Sequence, residues 1–308
     1  RMDRFYRHMR RRYQLLLDDD GRPEGGSWSL DHANRKPWRG SPPAPRAYTF
    51  VTDRITDEVC QFVETKFADH PGSISRSSLP SMKADAEHLW AWSKARCLKY
   101  FGPYEDAMSS SAPTLFHTTI SALLNLGRLR PKRVIEDVLA LDIPLNSKEG
   151  FLRQVLGWRE FVRHVHAQTD GLRQLPPRYG GITAFGDQPA KPNVLQATQE
   201  LPPVYWGEQS GLACLDHVVS EVMDTGYTHH INRLMILANW GTLLNVNPRE
   251  LTDWFWTSFT DAYDWVVEPN VLGMGTFATG DLMSTKPYVS GSAYVDRMSD
   301  YCSNCSFK

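Results

Sequence analysis

Two cysteines near the end of the chain, Cys302-x-x-Cys305 in YCSNCSFK, stand at a spacing that can grip one metal ion or one corner of a cluster. Two thiolates complete neither kind of site, so further ligands have to come from elsewhere. A second group is THHINRLM, where His229 and His230 precede Arg233. Adjacent helical residues point about 100° apart, so the two imidazoles cannot share a face, yet Arg233 lies within one turn of both. A cation there lowers a histidine pKa unless a carboxylate intervenes. The pair reads either as a proton donor with its support or as satisfied core histidines. GWREF sets Arg159 and Glu160 inside an apolar helical pattern, where a charge needs a partner or a ligand. The arginine fork suits an anionic cofactor, and an internal Arg–carboxylate pair is the alternative. Ten tryptophans are many for one chain: Trp240, Trp254, Trp256 and Trp265 cluster late, with Trp206 upstream and Tyr263, Tyr288, Tyr294 and Tyr301 alongside. They read as a large aromatic core, as a surface for flat rings, or as a row that passes electrons.

Helical elements must position these residues. Apolar positions recur at helical spacing in TDEVCQFVETKF, ADAEHLWAWSKARCLKYFG, TLFHTTISALLNLGRL, KEGFLRQVLGWREFVRHVHAQ and THHINRLMILANWGTLLNV. Strand patterns are hard to find. The Gly- and Pro-rich DDDGRPEGGSWSLDHANRKPWRGSPPAPR forbids long regular structure and reads as a connector wrapping a larger body. A second loop runs from Leu175 to about Pro203. The fold class expected is all-α, with long irregular connections.

Composition sets the outer limits. At 308 residues, 41% hydrophobic and 22% charged, the chain can build one large core or two domains. No apolar run reaches membrane-spanning length and no secretory pattern opens the chain, so a cytoplasmic protein is expected. The chain starts on Arg1, which suggests an internal piece of a longer protein. A net charge of -1 does not advertise nucleic-acid binding, but Arg1, Arg4, Arg7, Arg10, Arg11 and Arg12 form one basic cluster and Arg128, Arg130, Lys132 and Arg133 another. Each is a phosphate contact or a solvated helix face. Five widely spaced cysteines argue for reduced thiols, some of them ligands.

WREF on one helix and HHxxR on a later one, with FGPYEDAM, LFHTTISALLNLGRL, TDAYDWVVEPNVLGM and STKPYVSGSAYVDRMSDYC in this order, resemble the photolyases and cryptochromes. Together with Cys214 and the Cys302-x-x-Cys305 pair, these phrases resemble the bacterial iron–sulfur branch, the prokaryotic (6-4) photolyases and related cryptochromes, from about Pro23 to the end. The resemblance implies an N-terminal α/β antenna domain, absent here together with its pigment, then a basic helix and interdomain connector over residues 1–55 and a helical FAD-binding and catalytic domain over 56–308, truncated at its C-terminal end.

It implies a [4Fe–4S] cluster on Cys214, Cys302 and Cys305, with a fourth ligand beyond Lys308, and leaves Cys60 and Cys97 as ordinary buried thiols. The FAD would be held by Tyr104, His117, Thr118, Ile120, Ser121, Gln154, Trp158, Arg159 and Asp261, with Arg233 as the aspartate's partner. The family wording departs at His117-Thr118 and Ala122. His230 would donate a proton to the lesion with His229 in support; Met274, Tyr288 and Tyr294 would line that pocket, and Lys286 would meet a phosphate. Trp206 and Trp254 would relay electrons, with Phe255 where a redox tyrosine can occur. The implied activity is FAD-dependent, light-driven repair of a pyrimidine (6-4) photoproduct by a monomer acting on UV-damaged DNA. A blue-light photoreceptor on the same scaffold is the second reading, and a metal-stapled nucleic-acid-binding module the third.

Overall fold

The computed structural model describes residues 1–307. Helix α1 (Met2–Tyr13) opens the chain and stops where Gln14 turns into the left-handed region at φ 52°. The Gly- and Pro-rich connector then carries only short turns as far as α2 (Arg54–Lys66), whose cap Asp53 accepts the Thr56 N–H at 2.7 Å. Helices α3 (Lys83–Arg96), α4 (Leu98–Phe101), α5 (Ser121–Asn125), α6 (Pro131–Ala140) and α7 (Leu145–Leu152) follow. α7 runs on through a π-helical stretch, Arg153–Arg159, into α8 (Glu160–Gln168). After α9 (Ala213–Thr225), α10 (His230–Asn232) likewise continues through a π-helical stretch, Arg233–Ala238, into α11 (Asn239–Leu243). α12 (Pro248–Ser258) and α13 (Asp264–Val267) lead to a third π-helical stretch, Glu268–Gly275, and α14 (Ser292–Met298) comes last. Among the described residues there are no strands, only three isolated bridges, so the architecture is the expected all-α one. None of their helices is long and apolar enough to cross a membrane.

One expected helix is mostly absent. Residues 114–129 carry helical apolar spacing, but only Ser121–Asn125 coils, because Leu115 and Thr119 take left-handed backbone at φ 42° and 54°. Helices do not pass through such residues. Three π-helical stretches instead of none is the other departure, and each carries residues already singled out: Gln154, Trp158 and Arg159; Arg233; Met274. Single π turns commonly mark functional sites.

Apolar burial falls into two main cores. The first joins α1, α3, α4, α6 and α7 through Tyr6, Trp90, Leu98, Val134 and Phe151. The second joins α9, α12 and α14 through Val218, Ile236, Trp254 and Met298. A smaller cluster of Phe161, Leu234, Met274 and Met283 lies between helices of both. Gly157 brings α1 onto the first π-helical stretch: a Cβ there would stand 3.2 Å from the Met2 sulfur and 3.3 Å from the Tyr6 ring.

Of the N-terminal arginines, Arg10 is buried and donates to the main-chain carbonyls of Leu15, Leu16 and Trp28, so it fastens the connector and is not a phosphate contact. Arg1, Arg4, Arg7, Arg11 and Arg12 remain exposed. In the second cluster Arg133 is paired two-pronged with Glu87, at 2.6 and 2.8 Å.

Candidate functional site

The site begins where α9 ends. Gly226 takes φ 64°, and a Cβ on it would stand 2.7 Å from the Thr260 methyl, so the turn requires glycine. Its carbonyl accepts the Thr260 N–H at 2.9 Å, which pins the segment carrying Asp261 beside the start of α10. Across this junction the Arg233 fork donates to both Asp261 oxygens at 2.8 and 3.0 Å, and its Nε donates to the Thr228 carbonyl at 2.6 Å. Ser121 Oγ donates to Asp261 Oδ2 at 2.6 Å, and Asn125 reaches the Asp261 carbonyl. Phe259 and Tyr227 lie against the guanidinium at 4.2 and 5.0 Å. Burial works to raise the Asp261 pKa, but Arg233 and Ser121 outweigh it and hold the carboxyl below its ordinary range.

Three imidazoles meet next to this pair. His229 is 1% exposed and stacks on His117, with centroids 4.4 Å apart and planes 9° from parallel. Phe101 meets the other side of the His117 ring edge-on at 5.6 Å. Among the described residues, neither His229 nitrogen has a hydrogen-bond partner, and His117 Nε2 has none. Burial first, and then His230 and Arg233, push the His117 pKa down to about 4. Burial, with Arg233 second, pushes His230 to about 4 as well. The His230 side chain is nonetheless exposed, although protein atoms crowd around the ring, as at the mouth of a recess. Burial and Arg233 both favour the neutral imidazole at His230.

The remaining expected residues fall into three groups. Trp158, Met274 and Tyr288 share the small cluster between the cores, and Arg159 lies over the neighbouring Trp265 ring at 4.9 Å while pairing with Glu160 at 2.9 Å. Gln154 donates to Glu105 in a buried network with Asn34, Arg153, Glu149 and Asp31. Burial pushes Glu105 up to about 7, and burial with Asp31 pushes Asp106 to about 6. Tyr288 and Tyr294 lie within electrostatic reach of Asp31, Arg35 and Asp106, and burial raises both phenols. Tyr104 is turned to the connector, with its hydroxyl on the Ser41 carbonyl at 3.2 Å and its ring against Phe116. Ile120 belongs to the first core, the Thr118 carbonyl accepts from Ser93, and Lys286 is exposed.

An aromatic row leads outward. Phe259, against Arg233, stacks on Phe255 at 5.1 Å, and Trp254 meets both rings edge-on at 5.2 and 5.9 Å. Trp254 is fully enclosed, its indole N–H on the Tyr205 carbonyl at 2.8 Å. A cavity of about 420 Å³, bordered also by Glu200, Glu250 and Asp253, separates it from Trp206, which is 54% exposed. Phe259 and Tyr227 were not singled out from sequence; for Phe259 the aromatic density of residues 254–265 was the available signal.

The thiols converge without forming a ligand set. Cys302 packs against the core that holds Cys214, and burial, then Cys302 and Cys305, raise the Cys214 pKa. Among the described residues no group of three or more His, Cys, Asp or Glu is arranged to hold a metal ion. Cys60 and Cys97 are buried, as expected. Tyr301, beside Cys302, donates to the Asn232 side chain at 3.3 Å; Asn232 reaches Thr228 Oγ1 at 2.9 Å, which donates to Glu221 at 3.2 Å. Burial pushes Glu221 up to about 8.

The residues around Arg233 fit a flat, polyfunctional anion such as FAD. Among the described residues, buried nitrogens of His229 and Arg159 lack partners, and buried polar atoms left so are rare unless a ligand or water meets them. Residues 1–79 match the family described as deoxyribodipyrimidine photo-lyase-related protein. The chain is 34% identical over 310 aligned residues to a (6-4) photolyase of Agrobacterium fabrum, covering 99% of this chain and 58% of that protein. It is 42% identical over 66 residues to the uncharacterized protein R855 of Acanthamoeba polyphaga mimivirus, covering 21% of this chain and 54% of that one. Its fold is similar to the crystal structure of a bacterial class III photolyase from Agrobacterium tumefaciens, at a TM-score of 0.51 and 17% identity over 72% of this chain and 41% of that one. The chain thus spans 58% of the length of the curated relative that it matches throughout.

Proposed function

Because the chain belongs to the photolyase/cryptochrome family, we propose that it takes part in light-driven repair of UV-damaged DNA, with a pyrimidine (6-4) photoproduct as the lesion. The observation that carries this reading is the group of three imidazoles beside the buried Arg233–Asp261 pair, with both His229 nitrogens unpartnered among the described residues. FAD, when bound, supplies light-driven one-electron transfer with no net redox change. Arg233, Asp261, Ser121 and Arg159 would hold it, through a fixed fork, a carboxylate, a hydroxyl and a stacked guanidinium.

His230, facing the recess, would deliver a proton to the oxygen that moves between the two bases. Its low pKa in the free protein implies that the proton arrives with the substrate, whose phosphates offset the field of Arg233. A duplex lesion must be turned out of the stack to reach this depth. Met274, Trp158 and Tyr288 would wall off water, with Tyr294 and the exposed Lys286 toward the nucleic acid. Trp254 and Trp206 would refill the flavin from solution.

The deciding experiment illuminates the flavin-loaded protein with lesion-bearing DNA under anaerobic conditions. Conversion of (6-4) photoproducts is expected; flavin photoreduction without any conversion would sink the repair reading and leave the photoreceptor one. Trp254→Phe is expected to slow photoreduction about tenfold or more while leaving repair by chemically reduced protein unchanged, because the long gap from flavin to Trp206 would lose its middle step.

A [4Fe–4S] cluster on Cys214, Cys302 and Cys305 is a separate proposal, supported by their convergence alone. Iron and sulfide should copurify with the anaerobically prepared protein and be lost in Cys214→Ser. Zinc alone in their place would contradict it.

A further inference from the structure

His117 sits in the stretch that the sequence analysis gave to the cofactor, but its ring makes other contacts. It lies flat on His229, 112 residues later in the chain, at 4.4 Å and 9° from parallel. Phe101, which belongs to the first core, meets the ring edge-on at 5.6 Å. Neither ring nitrogen of His229 has a partner among the described residues, and His229 stands at the cap position before α10, where φ and ψ are extended. An imidazole without hydrogen bonds is free to turn about its side-chain bonds unless packing stops it. In this site the packing that stops it is the His117 face. His230 is the next residue, and where it points follows from where the His229 peptide and ring are held.

We propose that His117 is a positioning residue: its ring, anchored on the first core, clamps His229 and thereby aims His230 into the recess. The proposal rests on the role given to His230 above. What it requires of position 117 is a flat ring, not a titrating nitrogen. The left-handed residues Leu115 and Thr119, which cut the expected helix short, let residue 117 leave the helical path and lie under His229. The charged groups that bear on the stacked pair are His230 and Arg233.

The test compares His117→Ala, His117→Phe and His230→Ala in the flavin-loaded protein, reading kcat and KM for repair and the flavin retained. His117→Ala should lower kcat about tenfold, the scale of a misaimed reacting group, with KM for lesion DNA and bound flavin unchanged. His117→Phe, which restores a flat ring, should stay within about threefold of the parent. A readout independent of turnover is the ring-proton shifts of His229 by NMR: the displacement that a stacked neighbour causes should vanish in His117→Ala and persist in His117→Phe. His117→Ala repairing at the parental rate while His230→Ala is inactive would overturn the clamp and leave the proton donor standing. His117→Phe as slow as His117→Ala would show that the nitrogen matters and also overturn it. A His230→Ala protein that repairs normally would remove the reading beneath the proposal, and the clamp with it.

Discussion

His230→Ala is expected to lower repair of (6-4) lesions by roughly 10²–10⁴-fold, the range that a positioned proton donor contributes, while FAD stays bound. Flavin retention follows from the geometry, since the Arg233–Asp261–Ser121 contacts do not pass through His230. The pH profile supplies the sign. Burial and Arg233 hold the free imidazole at about 4, and the adjacent His117 and His229 add to that repulsion if they are charged. A donor must carry its proton, so repair should fall as pH rises through the pKa that His230 acquires with DNA bound. That pKa lies above 4 because the incoming phosphates are negative. The residual rate of His230→Ala should be flat over the same range. Steady-state repair from pH 5 to 9 checks both statements, and an unchanged pH profile in the variant would remove His230 as the donor.

The second large effect concerns the Arg233–Asp261 clasp. Asp261→Asn keeps the shape and a hydrogen-bond acceptor but leaves a buried guanidinium without its counter-charge, between Phe259 and Tyr227. Breaking a buried pair in this way costs about 3–5 kcal/mol. The melting temperature should drop by on the order of 10 °C, and the purified protein should have lost most of its flavin. The double variant Asp261→Asn with Arg233→Met should regain much of the stability, since an apolar side chain of similar length replaces the stranded charge. It should not regain the flavin. Thermal melts with the flavin-to-protein absorbance ratio separate the two outcomes. A melting temperature within about 2 °C of the parent for the single variant would mean that water reaches Arg233 and that the clasp is not a closed pair.

How much of this was legible beforehand depended on distance along the chain. The rods over 145–168 and 230–243 follow from apolar spacing, and the pairing of Arg233 with Asp261 was what the family resemblance implied. The π-helical stretches do not. One extra residue in a turn rotates everything after it by about 100°, so the apolar face of α8 is out of phase with that of α7, and a single 3.6-residue pattern cannot describe both. α9 was missed although Leu215, Val218, Val219 and Val222 carry a plain helical stripe; Cys214 had drawn attention as a ligand and not as the first turn of a helix. The failed helix at 114–129 turned on two residues with left-handed backbone, neither of them glycine, which no composition rule signals. The His117–His229 stack had no sequence signal at all, since nothing local couples residues that far apart.

The two cores carry one more consequence, for the order of folding. The first draws its buried residues from positions 6–156, and the second, Met108 apart, from positions 204–301. Each is close to contiguous along the chain, so each can condense on contacts that close modest loops. The site belongs to neither: Ser121 and His117 come with the first, and Asp261, Arg233 and His229 with the second. Its contacts therefore form at the docking step, after both halves have collapsed, and are the first to open when either half loosens. Flavin capture is then a reporter of completed assembly, and a ligand that binds only the docked form stabilises the joint between the halves more than either half itself.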